Sequence, residues 1–156
     1  GESLVTLGDA LVAAFTDDAC IQRYPSNTRA RDVQEIGVVC LHLLLTITLR
    51  NRDRIDMLWG LVLKTIATII KDAKEPSQLV SKAVFGLLHL CQRLLPYKEE
   101  IADELLSSLQ LVLKLDVTVA EVFAERITEE VLQLVKANLA YIKSALGWKT
   151  ICALLV

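Results

Sequence analysis

The chain has 156 residues, 53% of them hydrophobic, with 17 Lys plus Arg against 19 Asp plus Glu. That length supports one domain with a core of its own. A net charge of −2, split evenly between the two halves, lacks the basic excess of a nucleic-acid binder.

The longest run free of Asp, Glu, Lys and Arg is IGVVCLHLLLTITL at Ile36–Leu49. It falls short of the roughly 18–20 residues that cross a bilayer, so it reads as a buried core helix. The N-terminus opens on Gly1-Glu2 without a basic leader, and no secretory signal is expected. Cys20, Cys40, Cys91 and Cys152 stand in apolar sequence with no CxxC spacing. That is the pattern of small buried hydrophobes in a reduced, cytosolic setting.

No segment alternates with a two-residue period, so the fold class is all-α. A first helix is predicted over Ser3–Ala19, with Leu4, Leu7, Leu11, Val12 and Phe15 on its apolar side. Gln22–Arg31 reads as a loop, marked by Pro25, Ser26 and Asn27. The helix over Asp32–Arg50 is apolar almost all round and should be sandwiched between neighbours. Asn51 suits a helix end and Asp53 an N-cap for the next helix, Arg54–Ala73. That helix carries Ile55, Leu58, Trp59, Val62, Ile66, Ile69 and Ile70 at helical spacing.

After the break Lys74-Glu75-Pro76-Ser77, the chain predicts a helical hairpin. Val80, Ala83, Val84, Leu87, Leu88, Cys91, Leu94 and Leu95 form one stripe, which Pro96 stops. Ile101, Ala102, Leu105, Leu106, Leu109, Val112 and Leu113 form the stripe of a continuous second arm. Acids in its first turn suit the helix dipole. Gly86, in the first arm, would let a neighbouring helix come close.

Asp116 should cap a helix over Val117–Ala137, with Ala120, Phe123, Ala124, Ile127, Val131, Leu134 and Val135 inward. Asn138–Leu146 is a connector, and Trp148, Ile151, Cys152 and Leu155 form a last stripe. Helix pairs of about 40 residues describe an α-solenoid of HEAT- or armadillo-like hairpins with about 7 helices. A closed helical bundle is the alternative. Residues 1–156 are expected to be a single helical-repeat segment of a longer chain. Residues 148–156 would open a repeat that continues beyond it.

Chemistry-bearing constellations are few. Cys40-Leu-His42 and His89-Leu-Cys91 resemble a four-ligand zinc set, but residues i and i+2 on a helix diverge by about 200°. No metal or cofactor is expected. No nucleophile–base pair, glycine-rich elbow or phosphate loop is present. An enzyme built on a helical bundle would need a deep cleft lined by perturbed carboxylates, for example near Glu99–Glu104.

The candidate interaction surface is therefore charged. Arg50, Arg52 and Arg54 crowd one turn and could meet an anionic headgroup or an acidic partner, offset by Asp53 and Asp56. Lys136, Lys143 and Lys149 lie in a stretch without acids. Glu121, Glu125 and Glu129 form an i, i+4, i+8 stripe, read as a solvated face or a docking ridge.

The wording of the hairpin AVFGLLHLCQRLLPYKEEIADELLSSLQLVLKLD at Ala83–Asp116 carries a family resemblance. ITLRNRDRIDMLW precedes it, and LVKANLAYIKSALGW at Leu134–Trp148 continues it. Together they resemble the large Arf guanine-nucleotide exchange factors of the GNOM type, plant relatives of the Golgi brefeldin-related factors. The similarity covers about Glu35 to Leu155, and residues 1–34 match more weakly.

The resemblance implies a piece of the helical region downstream of the Sec7 catalytic domain, in the first or, rather, the second downstream homology block. It implies no exchange activity in this chain, since nothing matches the Sec7 loop with its invading glutamate. It implies roles in membrane recruitment, Sec7 regulation or partner binding. The partners would be other domains of the same exchange factor, activated Arf or anionic membrane lipid, with no nucleic acid and no transmembrane span. The location would be cytosolic, with peripheral recruitment to Golgi or endosomal membranes.

Overall fold

The computed structural model describes residues 26–97 and 99–155, with side chains from residue 33 onward. The helix expected over Ser3–Ala19 lies outside the described residues. The described residues are all-α, without a strand. They divide at Thr65/Ile66 into two compact units.

In the first unit, α1 spans Ser26–Arg50. It starts inside the predicted Gln22–Arg31 loop, because the Ser-Asn-Thr composition that marks a turn also opens helices. Gly37, Leu41, Leu44, Leu45 and Thr48 are buried at i, i+4, i+7, i+8 and i+11. Thr48 satisfies its buried hydroxyl on the Leu44 carbonyl at 2.7 Å.

The opposite side of α1 is open: Ile36, Val39 and Leu43 are exposed, Val39 by 58%. The expectation that this helix is sandwiched is thus wrong; it buries one face. The 14-residue run expected to be too short to span lies within an 18-residue window, Val33–Arg50, that by length and composition could cross a membrane; 28% of that window is buried, along the Gly37–Thr48 stripe.

A 3-10 turn at Arg52–Arg54 leads into α2, Ile55–Asp72, which runs from the first unit into the second. Asp53 is not an N-cap; it sits within that turn. The Asn51 side-chain amide donates back to the Ile47 carbonyl at 2.8 Å, closing α1. The predicted α2 stripe is buried throughout, from Ile55 to Ile70.

The second unit is built on α3, Gln78–Leu94. Ser77, the last residue of the break, caps it, accepting from the Val80 N–H at 3.2 Å. All eight predicted stripe positions are buried, and so are Phe85 and Leu90. The open strip of α3 is narrow, with Lys82 and Gly86 half-buried and His89 and Arg93 exposed. The turn after it is closed by the Leu95 N–H on the Cys91 carbonyl and the Tyr97 N–H on the Leu94 carbonyl, both at 3.0 Å.

The second arm is not continuous. A 3-10 turn at Glu99–Ile101 leads to α4, Ala102–Ser108, and after a break at Leu109 to α5, Gln110–Leu113. The cause is local. The Leu105 carbonyl, which a straight helix would offer to the Leu109 N–H, accepts instead from the Ser108 hydroxyl and from the Cys91 thiol, the latter at 3.3 Å. The Leu109 N–H moves to the Leu106 carbonyl at 3.2 Å, and the chain tightens to 3-10 spacing. The bend leaves Leu113, predicted inward, 47% exposed.

Asp116 caps α6, Val117–Asn138, accepting from the Thr118 N–H at 3.1 Å and its hydroxyl at 2.7 Å. The buried residues are Val119, Ile127, Val131, Leu134 and Asn138. Ala124, predicted inward, is exposed, and Ala120, Phe123 and Val135 are half-buried. Asn138 is a polar residue that a count of apolar positions passes over. Its side-chain amide donates to the carbonyls of Gln92 and Leu134, each at 3.1 Å, tying the end of α6 to α3.

A 3-10 turn at Leu139–Tyr141 leads to α7, Ala145–Leu155. The predicted stripe of α7 is off by one position. Gly147, Thr150, Ile151 and Leu154 are buried, whereas Trp148, Cys152 and Leu155 are exposed. Close packing chose the small face: a Cβ at Gly147 would lie 2.7 Å from Leu106 Cδ1. Trp148 lies at the rim, its indole N–H donating to the Ile142 carbonyl at 3.1 Å.

Across this unit α3 packs on α6, α4 and α5 on α7, and α6 on α7. Phe85 and Phe123 meet edge to face at 5.8 Å, and the Arg126 guanidinium lies 3.9 Å over the Phe85 ring. Such contacts add to plain burial where α3 faces α6.

Candidate interaction surface

The interior of the second unit holds a polar cluster around Cys91. Cys91 is fully buried and contacts the Leu105 carbonyl and, at 3.7 Å, the Ser108 hydroxyl. Burial pushes its thiol up to about 12, with the Ser108 hydrogen bond pulling the other way. Burial thus keeps the Cys91 thiol protonated near neutral pH, where it packs as a small hydrophobe. His89, two residues before Cys91 on the same helix, is exposed while the Cys91 thiol is buried, so the two face apart; His42 is exposed on α1 of the first unit.

The chemistry left to the chain lies on its outer edges. In the first unit, Arg50, Arg52 and Arg54 are all exposed, with Asp53 exposed among them. Arg50 occupies the last turn of α1, where a cation faces the negative end of the helix. Arg52 and Asp56 are each engaged by a partner, so this cluster is only partly open for a ligand.

In the second unit the three predicted lysines have different surroundings. Lys136 is exposed in the last turn of α6. Lys143 reaches Glu99 at 3.8 Å across the surface, with side chains 70% and 60% exposed. A pair this wet contributes at most about 1 kcal/mol. Lys149 projects from α7 into a groove of about 320 Å³, lined also by Gln110, Leu113, Lys114, Leu146, Thr150 and Ala153.

Lys114 is the functional candidate that sequence reasoning missed. It sits in an acid-rich stretch, and only the packing of α5 on α7 brings it to the groove with Lys149. The acidic residues Glu121, Glu125 and Glu129 are exposed along α6, beside the exposed Val122. At the head of that helix, the Thr118 hydroxyl and then its N–H hold the Asp116 carboxyl below the usual range, and Lys74 adds to the effect.

Comparison with known proteins places the chain. It is 52% identical over 154 residues, 99% of its length, to the ARF guanine-nucleotide exchange factor GNOM of Arabidopsis thaliana. The chain belongs to the GNOM-type family of large Arf guanine-nucleotide exchange factors. A second Arabidopsis thaliana relative, the ARF guanine-nucleotide exchange factor GNL1, is 55% identical over 119 residues, 76% of the chain. The Golgi-specific brefeldin A-resistance guanine nucleotide exchange factor 1 homolog of Caenorhabditis elegans is 30% identical over the same share.

This GNOM-type segment spans about a tenth of the length of those relatives: 10%, 8% and 6% respectively. No family model and no solved structure matches it.

Proposed function

We propose that this segment is a non-catalytic, α-solenoid layer of the helical region downstream of the Sec7 domain. It would offer interaction surface for membrane recruitment, for regulation of Sec7 or for partner binding. The observation that supports this most is the separation of roles in the second unit. Its hairpin interior is apolar and includes a thiol kept protonated, while its lysines and glutamates lie on exposed edges.

The packing of α3 on α6 and of α4 on α7 supports the layered reading, because like helices of successive hairpins face each other as in stacked repeats. The partners are other domains of the same exchange factor or activated Arf. The place of action is the cytosolic face of Golgi or endosomal membranes, in line with the Golgi-specific name of the Caenorhabditis elegans relative.

The test is a pull-down of this chain with GTP-loaded Arf and with the Sec7 half of the same exchange factor, alongside a nucleotide-exchange assay. Capture of either protein with no exchange by the chain alone is expected. Exchange catalysed by the chain alone would overturn the reading. A second reading, a peripheral module for anionic lipid, draws on α1. There Ile36, Val39 and Leu43 are exposed on a helix that ends at Arg50, Arg52 and Arg54. Basic residues near an anionic surface contribute about 1 kcal/mol each. Liposome flotation indifferent to anionic lipid content would remove it. Failure of all these assays would leave a structural spacer.

A further inference from the structure

We propose that the open strip along α3 is a docking site for an acidic peptide segment of a partner protein. This deepens the reading of the segment as interaction surface, on which it rests, and names the partner's chemistry. Lys82, His89 and Arg93 stand at i, i+7 and i+11 and fall within about 40° of one line along the helix. α3 contains no Asp or Glu. On a solvated helix face, cations are ordinarily answered by acids three or four residues away. Here the positions four after Lys82 and four before Arg93 hold Gly86 and His89. Among the described residues, no carboxylate forms a salt bridge with Lys82 or Arg93.

The strip is shaped for one chain. Lys82 and Gly86 are half-buried, and Phe85 and Leu90 on its two sides are buried, so the donors sit between neighbouring elements. On the α6 side, the Arg126 guanidinium lies 3.9 Å over the ring of Phe85, a residue one turn from both Lys82 and His89, and adds a fixed cation to that bank. The acids of α6 beside it are turned aside. Glu125 and Glu129 stand about 60–100° further round that helix, and Glu130, about 40° the other way, is half-buried. His89 donates an imidazole N–H whether charged or neutral. Gly86 presents no side chain in the middle of the strip, so a backbone can come close there. From Lys82 to Arg93 the rise is about 16 Å, which about five residues of extended chain cover. A bilayer surface or a nucleic-acid duplex is too broad to follow a strip bounded by buried side chains on both banks, whereas a single acidic segment can lie along it.

The test is fluorescence anisotropy of the full chain with fluorescein-labelled octaglutamate, and with octaglutamine as the uncharged control. Saturable binding of octaglutamate that weakens as salt rises is expected, with none of octaglutamine. Lys82→Glu/Arg93→Glu should weaken it by about tenfold or more, whereas Lys71→Glu, a like change on α2, should leave it unaltered. The doubly reversed variant should in turn gain affinity for octalysine, a swap that a misfolded chain cannot give.

Absence of saturable octaglutamate binding overturns the proposal. So does binding that Lys82→Glu/Arg93→Glu leaves intact, or that Lys71→Glu weakens as much, since either marks attraction to charge at large. Phosphatidylserine vesicles that bind the wild type but not the doubly reversed variant, with no octaglutamate bound, would assign the strip to lipid and also overturn it. The pull-down with Arf and the Sec7 half is read separately. Failure here leaves the broader reading standing, and failure there leaves a strip that still binds the acidic probe.

Discussion

Replacing Gly147 by Ala sets two effects of known size against each other. Alanine is favoured over glycine inside a helix by up to about 1 kcal/mol, and by less in a first turn, where Gly147 sits. Against this, the added methyl would lie 2.7 Å from Leu106 Cδ1 and 3.1 Å from the Ser144 hydroxyl. Leu106 is fully buried, so its side chain has no solvent to swing into. The Ser144 hydroxyl already accepts the Gly147 N–H at 2.9 Å and would lose that geometry by moving. Overpacking of this kind costs about 1–3 kcal/mol.

The packing cost should win, leaving a net loss of about 1–2 kcal/mol. For a chain of this size that lowers Tm by about 2–8 °C. The assay is thermal and urea unfolding followed by tryptophan emission with Trp59 replaced by Phe, which leaves Trp148, beside the site, as the reporter. In a Leu106→Ala background the tighter contact is gone and only the one with the Ser144 hydroxyl remains, so Gly147→Ala should cost clearly less than it does in the wild type. A single Gly147→Ala variant as stable as wild type, or more so, would refute the claim that close approach set the register of α7.

Leu88→Ala removes a side chain buried to 1% exposure in α3 and should cost about 2–5 kcal/mol in urea unfolding; a loss under about 0.5 kcal/mol would mean α3 is not the central helix. Iodoacetamide near neutral pH should label the exposed Cys152 and leave Cys91 untouched until denaturant is added, as read by peptide mass. Labelling of both at one rate would contradict the buried cluster. For Asp116 the folded-state value is depressed. Its contribution is therefore present above the unfolded carboxylate value of about 4, and is lost as pH falls through the folded value. The gap in Tm between wild type and Asp116→Ala should close on acidification. A gap that persists below that range would show the cap works without its charge.

Helix positions and most of the core were legible because apolar periodicity reports burial wherever large side chains face the interior. The stripes of α2 and α3, and the caps Ser77 and Asp116, needed nothing beyond the local chain. Misreadings came where tertiary contact outweighed local pattern. On α7, Trp148 and Leu155 outscore Gly147 and Thr150 by hydrophobicity, yet the close approach of Leu106 to Gly147 turns the small pair inward. In the second arm, Leu105 to Leu113 reads as one helix until a thiol from another helix and a hydroxyl three residues on occupy the Leu105 carbonyl. The site was legible in composition only. Lys149 stood out because no acid is near it in sequence, while Lys114 emerged only through the packing of α5 on α7.

The break at Leu109 has a mechanical consequence. α5 is a single turn of helix joined to α4 through a 3-10 bond at 3.2 Å. Backbone amides on either side of such a joint need not open together. The turn Gln110–Leu113 can fray and reform while α4 keeps its grip on α7. Deuterium uptake should then be faster at Gln110–Leu113 than at Ala102–Ser108. One wall of the groove, Leu113 with the adjoining Lys114, is thus mounted on the part of the arm that yields at least cost. Anything that settles there would still that turn, and its exchange rate would report occupancy.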